Sequence, residues 1–169
     1  MSCKMLVLGL GNILLSDEGV GVHIISSLKK RICHPDIELT DGGVGGFSLI
    51  NIIEGYKKVV LIDAVDAPFD PGTVFRLSPE DLSETSGDRY SLHDIGIKDV
   101  IDLLRIRETL PEMMILGIVP ADITSCHLGL SKDLNATFEV ILQKVQYEVK
   151  NYFNLEENIK GEPRDAENC

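Results

Sequence analysis

Three runs of this chain, Met5–Leu8, Val59–Ile62 and Met113–Val119, are apolar from end to end. A strand with one wet face alternates apolar and polar residues, so a strand that is apolar throughout has to be covered on both faces. The runs therefore predict central parallel strands with helices on either side. Helical periodicity fills the gaps. Val20, Ile24, Ile25, Leu28 and Ile32 recur on one face after Gly19, residues 47–54 predict a short second helix, and Ile97, Val100, Ile101 and Leu104 form a third stripe. The last helix is predicted over residues 132–153. Ile37 to Thr40 alternates, as an outer strand should. Thr73 to Leu77 follows the second apolar run too closely for a parallel crossover, so it predicts an antiparallel edge strand. Pro79 to Arg89 is polar and predicts an exposed loop. Together these elements make an α/β, doubly wound, mostly parallel five-stranded sheet with helices on both faces and one antiparallel edge strand.

A length of 169 residues with 44% hydrophobic content supports one core, assigned to residues 1–153. Residues 154–169 are acidic, nearly without apolar side chains, and expected to be disordered. The net charge of -11 and pI near 4.7 exclude the basic footprint of a nucleic-acid or anionic-membrane binder. No apolar run approaches the roughly 18 residues of a membrane span. Lys4 before an apolar run imitates the start of a signal peptide, but Gly9, Gly11, Asn12, Asp17 and Glu18 interrupt it, and the segment reads as folded chain. Cys3, Cys33, Cys126 and Cys169 have neither C-x-x-C nor zinc spacing, which predicts reduced thiols. The expectation is a cytoplasmic monomer.

In doubly wound sheets, ligands sit beyond the carboxyl ends of the strands, where the strand order reverses. Glu18 follows the first apolar run, Asp63 ends the second, and His93 opens a helix whose start, Ser91 to Asp94, has capping-box spacing. Two carboxylates and an imidazole with open positions suit a divalent metal such as nickel, zinc or iron, without selecting among them. A helix N-terminus favours an ionised Glu18 and a neutral His93, the protonation states a metal requires. Asp17, one residue earlier, is predicted to be the N-cap of the first helix. Asp41 ends the outer strand before Gly42-Gly43, as a turn residue or a further acid at the same rim. His127, in a short loop after the third apolar run, could reach that face, whereas His23 and His34 are assigned to structure. Gly9-Leu10-Gly11 begins a dinucleotide fingerprint, but the third glycine is replaced by Leu14, and the acids that follow would repel phosphate.

Gly9 to Gly21, Asp41-Gly42-Gly43, Asp63-Ala64, His93 to Gly96 and His127 to Ser131 resemble, in order and spacing, the nickel-iron hydrogenase maturation endopeptidases. The resemblance covers about Met5 to Phe153. It implies a flavodoxin-like or phosphorylase-hydrolase-like sandwich and a peptidase that removes the C-terminal extension of the hydrogenase large-subunit precursor after nickel insertion. By the resemblance, Glu18, Asp63 and His93 match the family's metal-binding trio, the nickel arrives with the substrate, and Asp41 matches a recurrent acid. Hydrolysis could be metal-assisted, or driven by Asp63 or Asp41 as general base. Asp41 and His127 are further candidates for substrate contact. Two other readings compete: a nucleotide- or flavin-binding module, and a non-catalytic nickel or hydrogenase assembly factor.

Overall fold

Each apolar run is a strand, and the first two strands outlast the runs that announced them. The computed structural model describes residues 4–84, 91–92 and 97–155. β1 (Met5–Leu10), β3 (Lys58–Asp66) and β6 (Glu112–Ile118) lie parallel in the middle of the sheet, with β2 (Ile37–Gly43) parallel to β1 on one outer side. β4 (Val74–Leu77) closes the other side, antiparallel to β6, giving the order β2-β1-β3-β6-β4. The expected five-stranded, mostly parallel architecture is therefore present. A further two-residue strand, β5 (Ser91–Leu92), pairs with the far end of β3.

Alternation along the strands divides the core into two layers. Val7, Val60, Ile62, Met114 and Leu116 pack under α1 (Val20–Leu28) and α5 (Lys132–Tyr152). Leu6, Leu8, Val59, Leu61, Met113 and Ile115 pack under α2 (Ser48–Ile53) and α4 (Ile97–Ile106). Every one of these side chains is buried. Each contributes about 1.5–3 kcal/mol of hydrophobic stabilisation, which is why both faces must be covered.

Three expectations are corrected. Residues 79–84 of the expected loop form a helix, α3 (Pro79–Glu84), started by a reciprocal cap: the Ser78 amide and hydroxyl donate to Asp81 Oδ2 at 2.6 and 2.8 Å, and the Asp81 amide donates to Ser78 Oγ at 3.4 Å. Leu82 is buried and ties this helix to the α4 layer. Residues 85–89 lie outside the described residues. Asp63 is not the last residue of its strand, because β6 and then β5 carry β3 on to Asp66. Cys33, exposed in the segment after α1, is disulfide-bonded, while Cys126 is a free, exposed thiol. Spacing along a chain does not report which cysteines meet in space, and a disulfide at Cys33 removes the cysteine argument for a reducing compartment. No helix among the described residues is long and apolar enough to cross a membrane. The proposed tail, from 156 onward, lies outside the described residues.

Candidate active site

Strand order reverses between β1 and β3: the chain leaves β1 for β2 on one side, and the strands that follow β3, first β4 and later β6, lie on the other. The crevice beyond their carboxyl ends is the place where this fold offers a site. The β1–β3 ladder stops at Gly9 and Ile62, whereas β3 and β6 stay paired through Ala64 and Ile118. Asp63 is thus the first residue of β3 past its last β1 partner. It shares the face of Val59 and Leu61, the face covered by α2 and α4, and is only 7% exposed. Its Oδ1 accepts the Ala64 amide at 2.8 Å, which fixes the rotation of the carboxylate.

Glu18 belongs to a 3-10 turn, Ser16–Gly19, between β1 and α1 that packs against β3. Its side chain is half-buried. Close backbone packing keeps the turn there. A Cβ on Gly21 would overlap the carbonyl oxygens of Leu10 and Ile62, and one on Gly9 would overlap that of Gly21, so α1 sits directly on the two strand ends. Gly11, at φ +134°, donates its amide to Gly43 O at 2.8 Å, and the Glu18–Gly19 backbone occupies the space beside it. The amide a phosphate would use is spent and the cradle is filled. The glycines serve packing rather than a dinucleotide.

Asp17 is not a helix cap. The residue before the 3-10 turn is Leu15, the residue before α1 is Gly19, and neither end has a side-chain cap. The Asp17 carboxylate is instead fully buried: Oδ2 accepts the amides of Ala121 and Asp122, both at 2.9 Å, and Oδ1 accepts that of Ser131 at 2.7 Å. The loop between β6 and α5 is thereby clamped to the Glu18 turn. Main-chain bonds extend the seam, from Asp17 to Asp122 O, from Ser16 to His127 O, and from His127 to Leu14 O, at 3.0, 3.0 and 3.1 Å. Ser131 also caps α5, accepting the Leu134 amide. Nothing in the sequence announced this role, since the donors are main-chain groups more than a hundred residues away.

The remaining candidates separate. His127 reaches the rim through its backbone, while its ring is exposed and near Gly129 O. Asp41 pairs with Gly9 in the sheet, is exposed, and turns its Oδ1 onto the Gly43 amide at 2.8 Å, the geometry of a turn residue. His93 lies outside the described residues. Leu92, immediately before it, is paired with Val65, two residues beyond Asp63. Among the described residues, no three His, Cys, Asp or Glu side chains form a group able to hold a metal.

One further carboxylate organises the clamped loop. Asp122 Oδ1 accepts bonds from the amides of Ser125 and Thr124 and the Thr124 hydroxyl at 3.1, 3.0 and 3.2 Å. These bonds to the charged form, those from Ser125 foremost, hold its pKa down at about 2. A depressed pKa adds stability that is present above the unfolded value of about 4 and lost as pH falls through about 2. Amide exchange at Thr124 and Ser125, corrected for intrinsic rates, should therefore accelerate between pH 4 and pH 2. Unchanged protection across that interval would refute the assignment.

With this geometry in hand, comparison with known proteins is informative. The family model for hydrogenase maturation proteases matches residues 22–160. The hydrogenase 2 maturation protease of Escherichia coli K12 is 32% identical over 166 residues, covering 96% of this chain and 98% of that protein. The hydrogenase expression/formation protein HupM of Azotobacter chroococcum is 30% identical over 169 residues, covering 98% and 78%. Among solved structures, the hydrogenase maturating endopeptidase HybD from E. coli superposes with a TM-score of 0.75 at 30% identity, over 88% of this chain and 93% of that one. The [NiFe] hydrogenase maturation protease HycI from Thermococcus kodakarensis shares the fold, with a TM-score of 0.70 at 21% identity, over 88% and 94%. A doubly wound sheet with buried acid at its switch point, matched over nearly its whole length by such relatives, identifies the chain as a peptide-bond hydrolase of the hydrogenase maturation protease family.

Proposed function

We propose that this enzyme removes the C-terminal extension of a nickel-iron hydrogenase large-subunit precursor after nickel insertion, and that Glu18, Asp63 and His93 bind the nickel the precursor carries. The observation that carries the reading is that the turn bearing Glu18 packs against β3, the strand in which Asp63 stands buried just past its last β1 partner, at the point where the strand order reverses. The position of Leu92 beside Val65 supports His93 as the third member, because it brings the chain to the Asp63 end of β3 just before that residue.

The chain's own contribution is orientation and charge. Asp63 is buried and aligned by the Ala64 amide, so its carboxylate is ordered before substrate arrives. Glu18 is held by the backbone seam that Asp17 locks. Two carboxylates and an imidazole that leave coordination positions open could complete the sphere of a nickel ion already held by the precursor. Bound there, nickel would supply Lewis acidity toward the scissile carbonyl, worth several kcal/mol in the transition state. Asp63 is equally able to take a proton from water at its carboxylate. Asp41, committed to Gly43, is better suited to shaping the rim than to either step. The same reading has the enzyme acting as a monomer in the cytoplasm.

Mass spectrometry of nickel-loaded and metal-free precursor, each incubated with the enzyme, tests the proposal. Loss of the extension only from the nickel-loaded form is expected. Equal cleavage of both would remove nickel recognition, and a stable complex without any mass change would favour an assembly factor.

A further inference from the structure

Nine large apolar side chains stand exposed among the described residues, and six of them, Ile13, Leu14, Val44, Phe47, Phe69 and Leu128, lie in the four loops at the carboxyl edge of the sheet. Their distribution is not that of scattered surface apolar residues, which would need no explanation. The loops are stitched together. The His127 amide on Leu14 O brings Leu128 beside Leu14, and the Gly11 amide on Gly43 O brings the Val44–Phe47 loop beside the turn after β1. Val44 and Phe47, 60% and 63% exposed, are presented by a loop whose Gly43, Gly45 and Gly46 all have positive φ. At about 4.8 Å per strand, the apolar collar spans about 14 Å from β2 to β6, the length of about four extended residues.

Charge follows the same axis. Segments 9–19, 41–47, 63–73 and 119–131 contain seven carboxylates and neither lysine nor arginine. Basic residues stand at the opposite edge, with Lys29–Arg31 before β2, Lys57 and Lys58 entering β3, and Arg107 before β6, while Lys98 and Lys132 lie in the first turns of α4 and α5. Asp41, Asp66 and Asp70 at the carboxyl edge are exposed.

We propose that this collar docks an apolar, cationic stretch of the precursor about four residues long, so that recognition extends well beyond the scissile bond and the metal. The proposal rests on the processing reading above. A protease of this family needs a protein-binding surface around its crevice, and an apolar rim whose four described loop segments carry acids and no base complements an apolar, positively charged segment.

The test is steady-state cleavage of nickel-loaded precursor by the parent enzyme and by Phe47→Ser, Leu128→Ser and the control Ile106→Ser, whose exposed side chain ends α4 near the opposite edge. Both collar variants should raise KM about tenfold with kcat within twofold of the parent, the control should change neither, and the parent's KM should rise with added salt. KM values for both collar variants within twofold of the parent, or a rise shared with Ile106→Ser, would overturn the collar. A salt-independent KM would overturn its cationic partner. Failure of the parent itself to cleave nickel-loaded precursor would instead indict the processing reading.

Discussion

Asp63→Asn is expected to abolish processing of nickel-loaded precursor while leaving the fold in place. The substitution keeps the shape of the side chain, and the asparagine oxygen can still accept the Ala64 amide that aligns it. What it removes is the charge. An amide is a poor ligand for a divalent cation and cannot take a proton from water, so the variant fails whether the carboxylate binds metal or acts as base. The loss of either role is worth about 10²–10⁴ in rate. The same change at Asp41 also preserves the bond to Gly43, and there processing should stay within a few-fold of the parent, because the carboxylate is engaged in a turn. Comparing the two variants in one mass-spectrometric time course, with circular dichroism melting as the control for folding, separates site from scaffold. Processing by Asp63→Asn within tenfold of the parent would remove Asp63 from the chemistry.

The largest effect on stability is expected from Asp17→Ala. Three main-chain amides, from Ala121, Asp122 and Ser131, lose their acceptor at once, in a place where Asp17 itself has no exposed surface. The amides are part-buried, and hydrogen bonds to a charged acceptor contribute about 1.5–3 kcal/mol each at most, so the variant should lose about 3 kcal/mol out of a total stability of about 5–15 kcal/mol. In a domain of this size that is a fall in Tm of about 6–12 °C. Asp17→Asn should recover only part of the loss, since both carboxylate oxygens face donors and an asparagine must turn its NH2 toward one set. Urea denaturation of the three proteins decides the point. A loss below about 1 kcal/mol in Asp17→Ala would mean that water replaces the carboxylate and that the loop is not clamped. Because Glu18 is the next residue, the destabilised variant should also process precursor more slowly.

The contrast between these acids shows what a sequence can disclose about such a site. Asp63 is legible because a carboxylate at the end of a fully apolar run stands out from its neighbours, and Glu18 because it follows the first strand. Asp17 looks the same in one dimension and suggests a helix cap, but its partners are main-chain amides, which have no letter in the sequence. The same blindness hid the extension of β3 through Asp63 to Asp66, since that pairing is supplied by β6 and β5 rather than by an apolar pattern. α3 was different. Pro79 at its first turn and the Ser78–Asp81 cap were in plain view, but one apolar residue, Leu82, gives too little periodicity to outweigh a polar context. The central strands were read from composition alone, because burial on both faces leaves no room for any other kind of side chain.

The clamp at Asp17 also sets a schedule for synthesis. Its three amide donors lie 104, 105 and 114 residues further along the chain. While a ribosome adds residues at about 5–20 per second, the carboxylate emerges on the order of 10 s before Ser131 has even been made. Throughout that interval the loop that locks the turn bearing Glu18 is missing. A nascent chain therefore carries no finished site, and hydrolytic competence begins only when translation is nearly complete.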